Sequence, residues 1–466
     1  MADGSYSPRL RTGVILCGAG TAGAYQAGVL KALTEAGVKI DLLAGHGAGA
    51  MTALCGAIDG GARLWEASGP WTDPRLRHSY RWRPALRVAA IGLIAAAVVL
   101  AAPLLVMVFA ALMYAASLLV ALANLPDLSA RLVGVYRGAM EALFTPPFLP
   151  TVVPRALVLV LLAVLGVLLT AAVRAFWAER SRRRLSGAFW WRLIGAPLDA
   201  GEPAGALVDA LWRLVRGASS APRPAPAEIG RRYVDLLSDN LGQPGFREVL
   251  VAVHDIDARR DLVGAVLAPD TRRAFEARRE AIGLRDAEAV DLSGSARDLV
   301  VDLLAGALQF PVASAPHLVQ FPADGYWRGE MHRLCDRPEL ASRLVDEAAA
   351  IGIEQAILVC AAAPAAVPHG MRAKPVDLRG RMGEVLRSIE TAVLQDAASV
   401  AAHRFSGVFV IRPEHNPVGP FDFGGAYDEA SDRRRTVAEL IQQGYADAYR
   451  QFVEPTVAAG DRVETL

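Results

Sequence analysis

Cysteine is scarce in this sequence, and its spacing gives it no evident task. The four residues, Cys17, Cys55, Cys335 and Cys360, lie far apart. No C-x-x-C pair or ligand cluster surrounds them, which excludes a disulfide framework and a cysteine-bound zinc site. An excess of charge is missing too. The 49 basic and 48 acidic residues leave a net charge of +1, so the surface as a whole is not built for nucleic acid, and no nucleic-acid partner is expected. No secretory signal is read, because Met1 to Arg11 is polar and the first apolar run, Gly13 to Cys17, is only strand-sized. The cysteines are therefore expected to be reduced, buried small hydrophobes of a cytosolic domain, with no metal and no cofactor.

Charge is also absent from two long stretches, Val88 to Ala123 and Ala156 to Val173. Both reach the roughly 18 to 20 residues that span a bilayer. A buried core helix is the alternative for the shorter stretch; the 36 residues of the longer one exceed any ordinary core helix. Arg75, Arg77, Arg81, Arg83 and Arg87 precede the first stretch, and Arg174, Arg180, Arg182, Arg183 and Arg184 follow the second. The connection from Asn124 to Pro154 holds only Arg131 and Arg137 against Asp127 and Glu141. Basic flanks mark the cytoplasmic side, so both flanks are expected inside and the connection outside, which requires an even number of crossings. Two crossings follow, at about 88–123 and 156–173, with Pro103 kinking the first rather than splitting it. The expected location is a bacterial-type inner membrane, with the lipid bilayer as a partner. Leu132, Val133, Val135, Tyr136, Met140 and Leu143 share one helical face of the connection, which is expected either along the outer membrane surface or as a simple exposed helix.

Residues 12–58 read as strand, glycine loop, helix, strand, glycine turn and helix. Val14 to Cys17 is a short apolar strand, Tyr25 to Ala36 carries Val29, Leu30 and Leu33 on one helix face, and Val38 to Ala44 is the next strand. Such a βαβ unit argues for an α/β fold with a mainly parallel sheet covered by helices. Gly18, Gly20 and Gly23 match G-x-G-x-x-G, in which converging backbone N–H groups favour an anion at a helix N-terminus. A dinucleotide-binding turn is one reading, with Asp41 where a ribose ligand would sit. A turn that merely needs small residues is another.

The string "GAGTAGAYQAGVLKAL", followed some two dozen residues later by the tight turn "GHGAG", resembles the opening of the patatin-like phospholipases. In that family a glycine-rich oxyanion loop precedes a nucleophile elbow G-x-S-x-G. "ALQFPVASAPHLVQFPADGYWRGE", residues 307–330, looks like the family's stretch closing on D-G-G or D-G-A, and the likeness is expected over residues 12–75 and 190–415. It implies a patatin-like three-layer α/β/α fold, interrupted here by a transmembrane helical insert. It also implies an oxyanion loop at Gly18, Ala19, Gly20 and Gly23, elbow glycines at Gly45 and Gly49, and a catalytic acid at Asp324. The family's loop cation falls on Ala22 and its nucleophilic serine on Gly47. Glycine offers no hydroxyl for a Ser-Asp dyad, so the resemblance implies a catalytically silent protein that keeps its anion cradle for a membrane lipid or fatty acyl ligand. Two alternatives stay open: an acyl hydrolase with a displaced nucleophile, His46 being a less favoured candidate, and a dinucleotide-binding oxidoreductase. Asp324 also reads as a plain Asp-Gly turn.

The expected organisation is therefore 1–75 as the first part of the patatin-like domain, 76–190 as the membrane insert, 191–430 as the remainder and 431–466 as a C-terminal amphipathic helix and tail. Residues 217–228, rich in Ala, Pro and Ser, read as a linker or lid. His254, Asp255 and Asp257 invite a metal reading but fit a hydrated strand end better. Ser431 to Val453 is expected as one helix, with Arg433, Arg434 and Arg435 opposing its dipole.

Overall fold

The computed structural model describes residues 6–66, 68–145, 151–179, 196–277, 285–362, 364, 378–414, 417–428 and 433–456. Arg180 and Arg182 to Arg184, expected as a basic flank, lie outside them. The chain forms two compact units, one of residues 1–81 with 198–466 and one of residues 82–197.

The first unit is built on β1 (Thr12–Cys17), β2 (Leu42–Gly45), β5 (Glu248–Asp255), β6 (Arg260–Val266), β7 (Ala289–Asp291), β8 (His317–Gln320), β9 (Met331–Cys335), β10 (Gln355–Cys360) and β11 (Gly407–Ile411). Two short ribbons, β3 (Arg81–Trp82) with β4 (Leu198–Asp199) and β12 (Ala426–Asp428) with β13 (Arg433–Arg435), stand apart from that sheet. The main order is β11-β10-β1-β2-β5-β6-β7, parallel from β11 through β5. Strands β1, β2 and β10 are buried along their whole length, as expected of strands covered on both faces. The strand expected to end at His254 and Asp255 does so as β5; the chain then turns at 256–259 and returns antiparallel as β6, which was not expected. The helices α1 (Ala22–Glu35) and α2 (Ala48–Gly56) are the next elements after β1 and β2, each joined to its strand by a glycine turn. On one sheet face Ile15, Ala44, Leu250, Leu358 and Cys360 pack under the helices Leu340–Ala350 and Leu378–Arg404.

The C-terminal helix begins later than expected. Arg433 to Arg435 pair with Ala426 to Asp428 as a strand, and the helix Val437–Ala448 starts from Thr436. Its capping box decides this: the Thr436 side chain accepts the Glu439 N–H, and the Glu439 carboxylate accepts the Thr436 N–H in turn. Arg433 pairs with Glu439 at 2.8 Å instead of opposing the dipole from within the first turn.

The second unit is helical. One helix, α3 (Pro84–Leu122), runs unbroken through Pro103; α4 (Pro126–Phe144) and α5 (Val153–Glu179) follow. Residues Pro84–Leu122 and Val153–Arg174 are long and apolar enough to cross a membrane. A Cβ on Gly92 would lie 2.1 Å from Val164, so α5 packs closely on the first half of α3. Ser129 donates to the Ser117 carbonyl at 3.0 Å and Tyr136 meets Tyr114 at 5.2 Å between ring centroids, so α4 folds back along the second half.

Candidate active site

The site is assembled at the C-terminal ends of the parallel strands, where strand register places its parts. Gly45, the last residue of β2, is opposite Val251 of β5, while Cys335, the last residue of β9, is opposite His254. Strands β2 and β9 therefore approach head to head along the same edge of β5. The residues that follow each of them, Gly47 and Asp336, meet.

Gly47 has φ 59° and ψ −131°, a sharp turn between strand and helix in a region that side chains rarely adopt. A Cβ there would lie 2.6 Å from Asp336 Oδ2 and 2.6 Å from the Gly18 carbonyl oxygen. Gly45, Gly49 and Gly23 serve close packing: a Cβ on them would strike the Gly49 carbonyl, the Leu16 carbonyl and the Trp71 ring. Next to the apex, His46 is buried and its Nδ1 stands 2.9 Å from Asp336 Oδ1. Burial opposes the imidazolium, but the Asp336 carboxylate outweighs it, and the His46 pKa rises to about 10. Its Nε2 is buried without a hydrogen bond. Cys17 projects onto the same sheet face, one register step beyond the Leu16–Gly45 pair, and its thiol adds to the upward shift of His46.

The glycine loop closes the other side. Ala48 N–H donates to the Gly18 carbonyl at 2.9 Å, tying elbow to loop. Ala19 N–H donates to Glu390 Oε1 at 3.2 Å, and Thr21 N–H to the Pro420 carbonyl at 3.2 Å. Glu390 is buried, which pushes its carboxyl up to about 7 against the pull of His46. Tyr80 and Phe310 cover the loop, 4.6 Å apart edge to face, and Tyr80 donates its hydroxyl to the Leu308 carbonyl at 2.8 Å. The remaining cleft is lined by Ala19, Gly20, Tyr80, Gln309, Phe310 and Asp336 and has no room for a water molecule.

The structure brings Gly18, Ala19, Gly20, His46 and Gly47 together, but not Asp324. That residue is exposed in the turn between β8 and β9, which join through the Gln320–Met331 pair. Asp336 leaves the opposite end of β9, five residues past Met331 and so roughly 16 Å further on at about 3.3 Å per residue. The carboxylate at the elbow is Asp336, which sequence reasoning missed because Arg337 follows it and no Asp-Gly pair marks it. Glu390 was legible as a flaw in a pattern: with Leu394, Ala397 and Ala401 it forms the buried stripe of its helix. Asp41, the possible ribose ligand, accepts the Thr12 N–H at 2.8 Å. Asp255 and Asp257 are engaged by His332 and Arg333, and the described residues contain no group of three or more side chains able to hold a metal.

A sequence profile described as Patatin-like phospholipase matches residues 14–396, most of the chain and both sides of the helical unit. The chain belongs to this family. No curated protein matches it. Among solved structures it is similar to VipD from Legionella pneumophila, at 12% identity over 97% of this chain and 68% of that one, with a TM-score of 0.32, too low to carry an argument. Membership in the patatin-like phospholipases accounts for the mostly parallel sheet flanked by helices, for the loop and elbow after β1 and β2, and for lipid as the class of molecule the family handles.

Proposed function

We propose that this patatin-family protein is membrane-anchored and does not hydrolyse lipids, its former acyl-transfer site serving for binding. One observation carries the proposal: Gly47, at the position of the family's nucleophile, has no attacking atom, and Asp336 Oδ2 and the Gly18 carbonyl oxygen each stand 2.6 Å from where its Cβ would lie. The Ser-Asp dyad needs a hydroxyl beside its carboxylate. Here the carboxylate is Asp336, and it is bonded to His46.

Anchoring is supported by the two apolar helices and by the interleaving of the chain's halves in one sheet, where β1 lies between β2 and β10. Both ends of the insert must then emerge on one side of a bilayer, which two crossings satisfy. On this reading the patatin unit is cytoplasmic, at the inner membrane of a bacterial-type cell. The bound molecule would be a membrane lipid or a fatty acyl group.

Purified full-length protein in nanodiscs is expected to leave fluorogenic esters and phospholipids intact and to resist fluorophosphonate labelling. Turnover that vanishes in His46→Ala or Asp336→Asn would overturn the proposal. A second reading, hydrolysis through a displaced nucleophile, is favoured by one feature, the Cys17 thiol beside the His46–Asp336 pair. It requires turnover that iodoacetamide blocks and Cys17→Ala abolishes.

A further inference from the structure

The buried face of the helix Leu378–Arg404 presents Leu394, Ala397 and Ala401 to the core, and at the next position of that stripe it carries Glu390. A carboxylate there bears a desolvation cost that an apolar side chain would avoid. Its one hydrogen bond among the described residues is to the Ala19 N–H of the glycine loop. Next to the loop, the Pro420 carbonyl is the nearest group to where a Gly20 Cβ would lie and the Phe310 ring is 3.3 Å from that point; Tyr80 and Phe421 meet Phe310 at 4.6 and 4.8 Å between ring centroids, and Phe423 stacks on Tyr80. The chain thus lays a carboxylate against the Ala19 N–H of the loop and an apolar body beside it. A free fatty acid has the same two-part chemistry.

We propose that the Gly18–Gly20 loop is a binding site for the carboxylate of a long-chain fatty acid, which the chain closes on itself with Glu390 as internal ligand and Tyr80 and Phe310 in place of the acyl chain. The inference rests on the non-hydrolytic binding reading above and names its ligand and its regulation. Binding proceeds by exchange: the acid displaces Glu390 from Ala19, and the aromatic pair swings aside. Glu390 shares its surroundings with His46, Asp336, Cys360 and Arg387, so the charge released or received is set by that group of five.

The test measures binding of a fluorescent long-chain fatty acid, with the corresponding alcohol as control, to full-length protein in nanodiscs. Glu390→Ala is expected to tighten binding of the acid about tenfold and to leave the alcohol unchanged, and Phe310→Ala to tighten both. Equal gains for acid and alcohol in Glu390→Ala would overturn the proposal, as would no gain in a variant with a native circular dichroism spectrum. Should that variant misfold, Glu390→Gln keeps the shape without the charge; it must bind the acid more tightly than the wild type for the proposal to stand. Ester turnover is scored separately, so a failure of exchange and a failure of catalytic silence are told apart.

Discussion

At the scale of single residues, Gly47 leaves little space for a side chain. A side chain at Gly47 meets two obstacles, each 2.6 Å from its Cβ: Asp336 Oδ2, on a buried side chain bonded to His46, and the Gly18 carbonyl, which is backbone. Gly47→Ser is therefore expected to stay inactive on esters and to lose about 2 to 5 kcal/mol of stability, from backbone strain and overpacking together; chemical denaturation and an ester assay read both. The His46–Asp336 pair is expected to matter for folding. Replacing His46 by Ala leaves a buried carboxylate without its partner and should cost about 3 to 5 kcal/mol. The pH dependence has a definite sign. The folded pKa of His46, about 10, exceeds its ordinary 6.5, so its stabilisation is complete below about 6.5 and disappears as pH rises through 10. Glu390 at about 7 against an ordinary 4.5 favours its protonated form in the folded state, so ionising it across that window also costs stability. The melting temperature should fall steadily from pH 5 to pH 10. Glu390→Gln should flatten the acidic part of that slope and His46→Ala the alkaline part.

At the scale of elements, length is the informative quantity for α3. Its 39 residues make a rod of about 58 Å at 1.5 Å per residue, roughly twice the hydrocarbon thickness of a bilayer. The contacts divide it accordingly, with α5 along the first half and the charged α4 along the second. We expect the first half and α5 to span the membrane and the α4 hairpin to emerge beyond it. A cysteine placed at Gly134 in α4 should react with a membrane-impermeant maleimide from the side opposite to one placed at Asp324. Labelling of both from one side would refute two crossings. At the other end of the chain the capping box fixes where the last helix starts, and Thr436→Ala should lower stability by about 1 kcal/mol in thermal unfolding.

At the scale of the whole molecule, the helical unit interrupts a sheet whose strands come from both sides of the interruption. Its ends meet, since Arg83 N–H donates to the Pro197 carbonyl at 3.0 Å. Replacing residues 84–196 by a short Gly-Ser linker should leave a soluble protein with its α/β circular dichroism spectrum intact. Aggregation of that protein would show that the sheet depends on the insert.

Local pattern sufficed wherever the determining forces are local. The βαβ opening, both glycine turns and the two charge-free helices could be read in the sequence, because hydrophobic period, glycine spacing and the absence of charge act over a few neighbouring residues. The carboxylate at the elbow could not be read that way. Asp336 reaches Gly47 only because β9 pairs antiparallel with β5 and ends where β2 ends, and Asp324, twelve residues earlier, is carried to the far end of the same strand. Glu390 reaches the loop from a helix more than 350 residues away, and only packing decides that its charge faces Ala19 rather than water. Sequence alone determined the scaffold and the glycine at its second turn. Strand register and helix docking, which join distant segments, decided which acid stands at the turn and that the chain's own carboxylate fills the cradle.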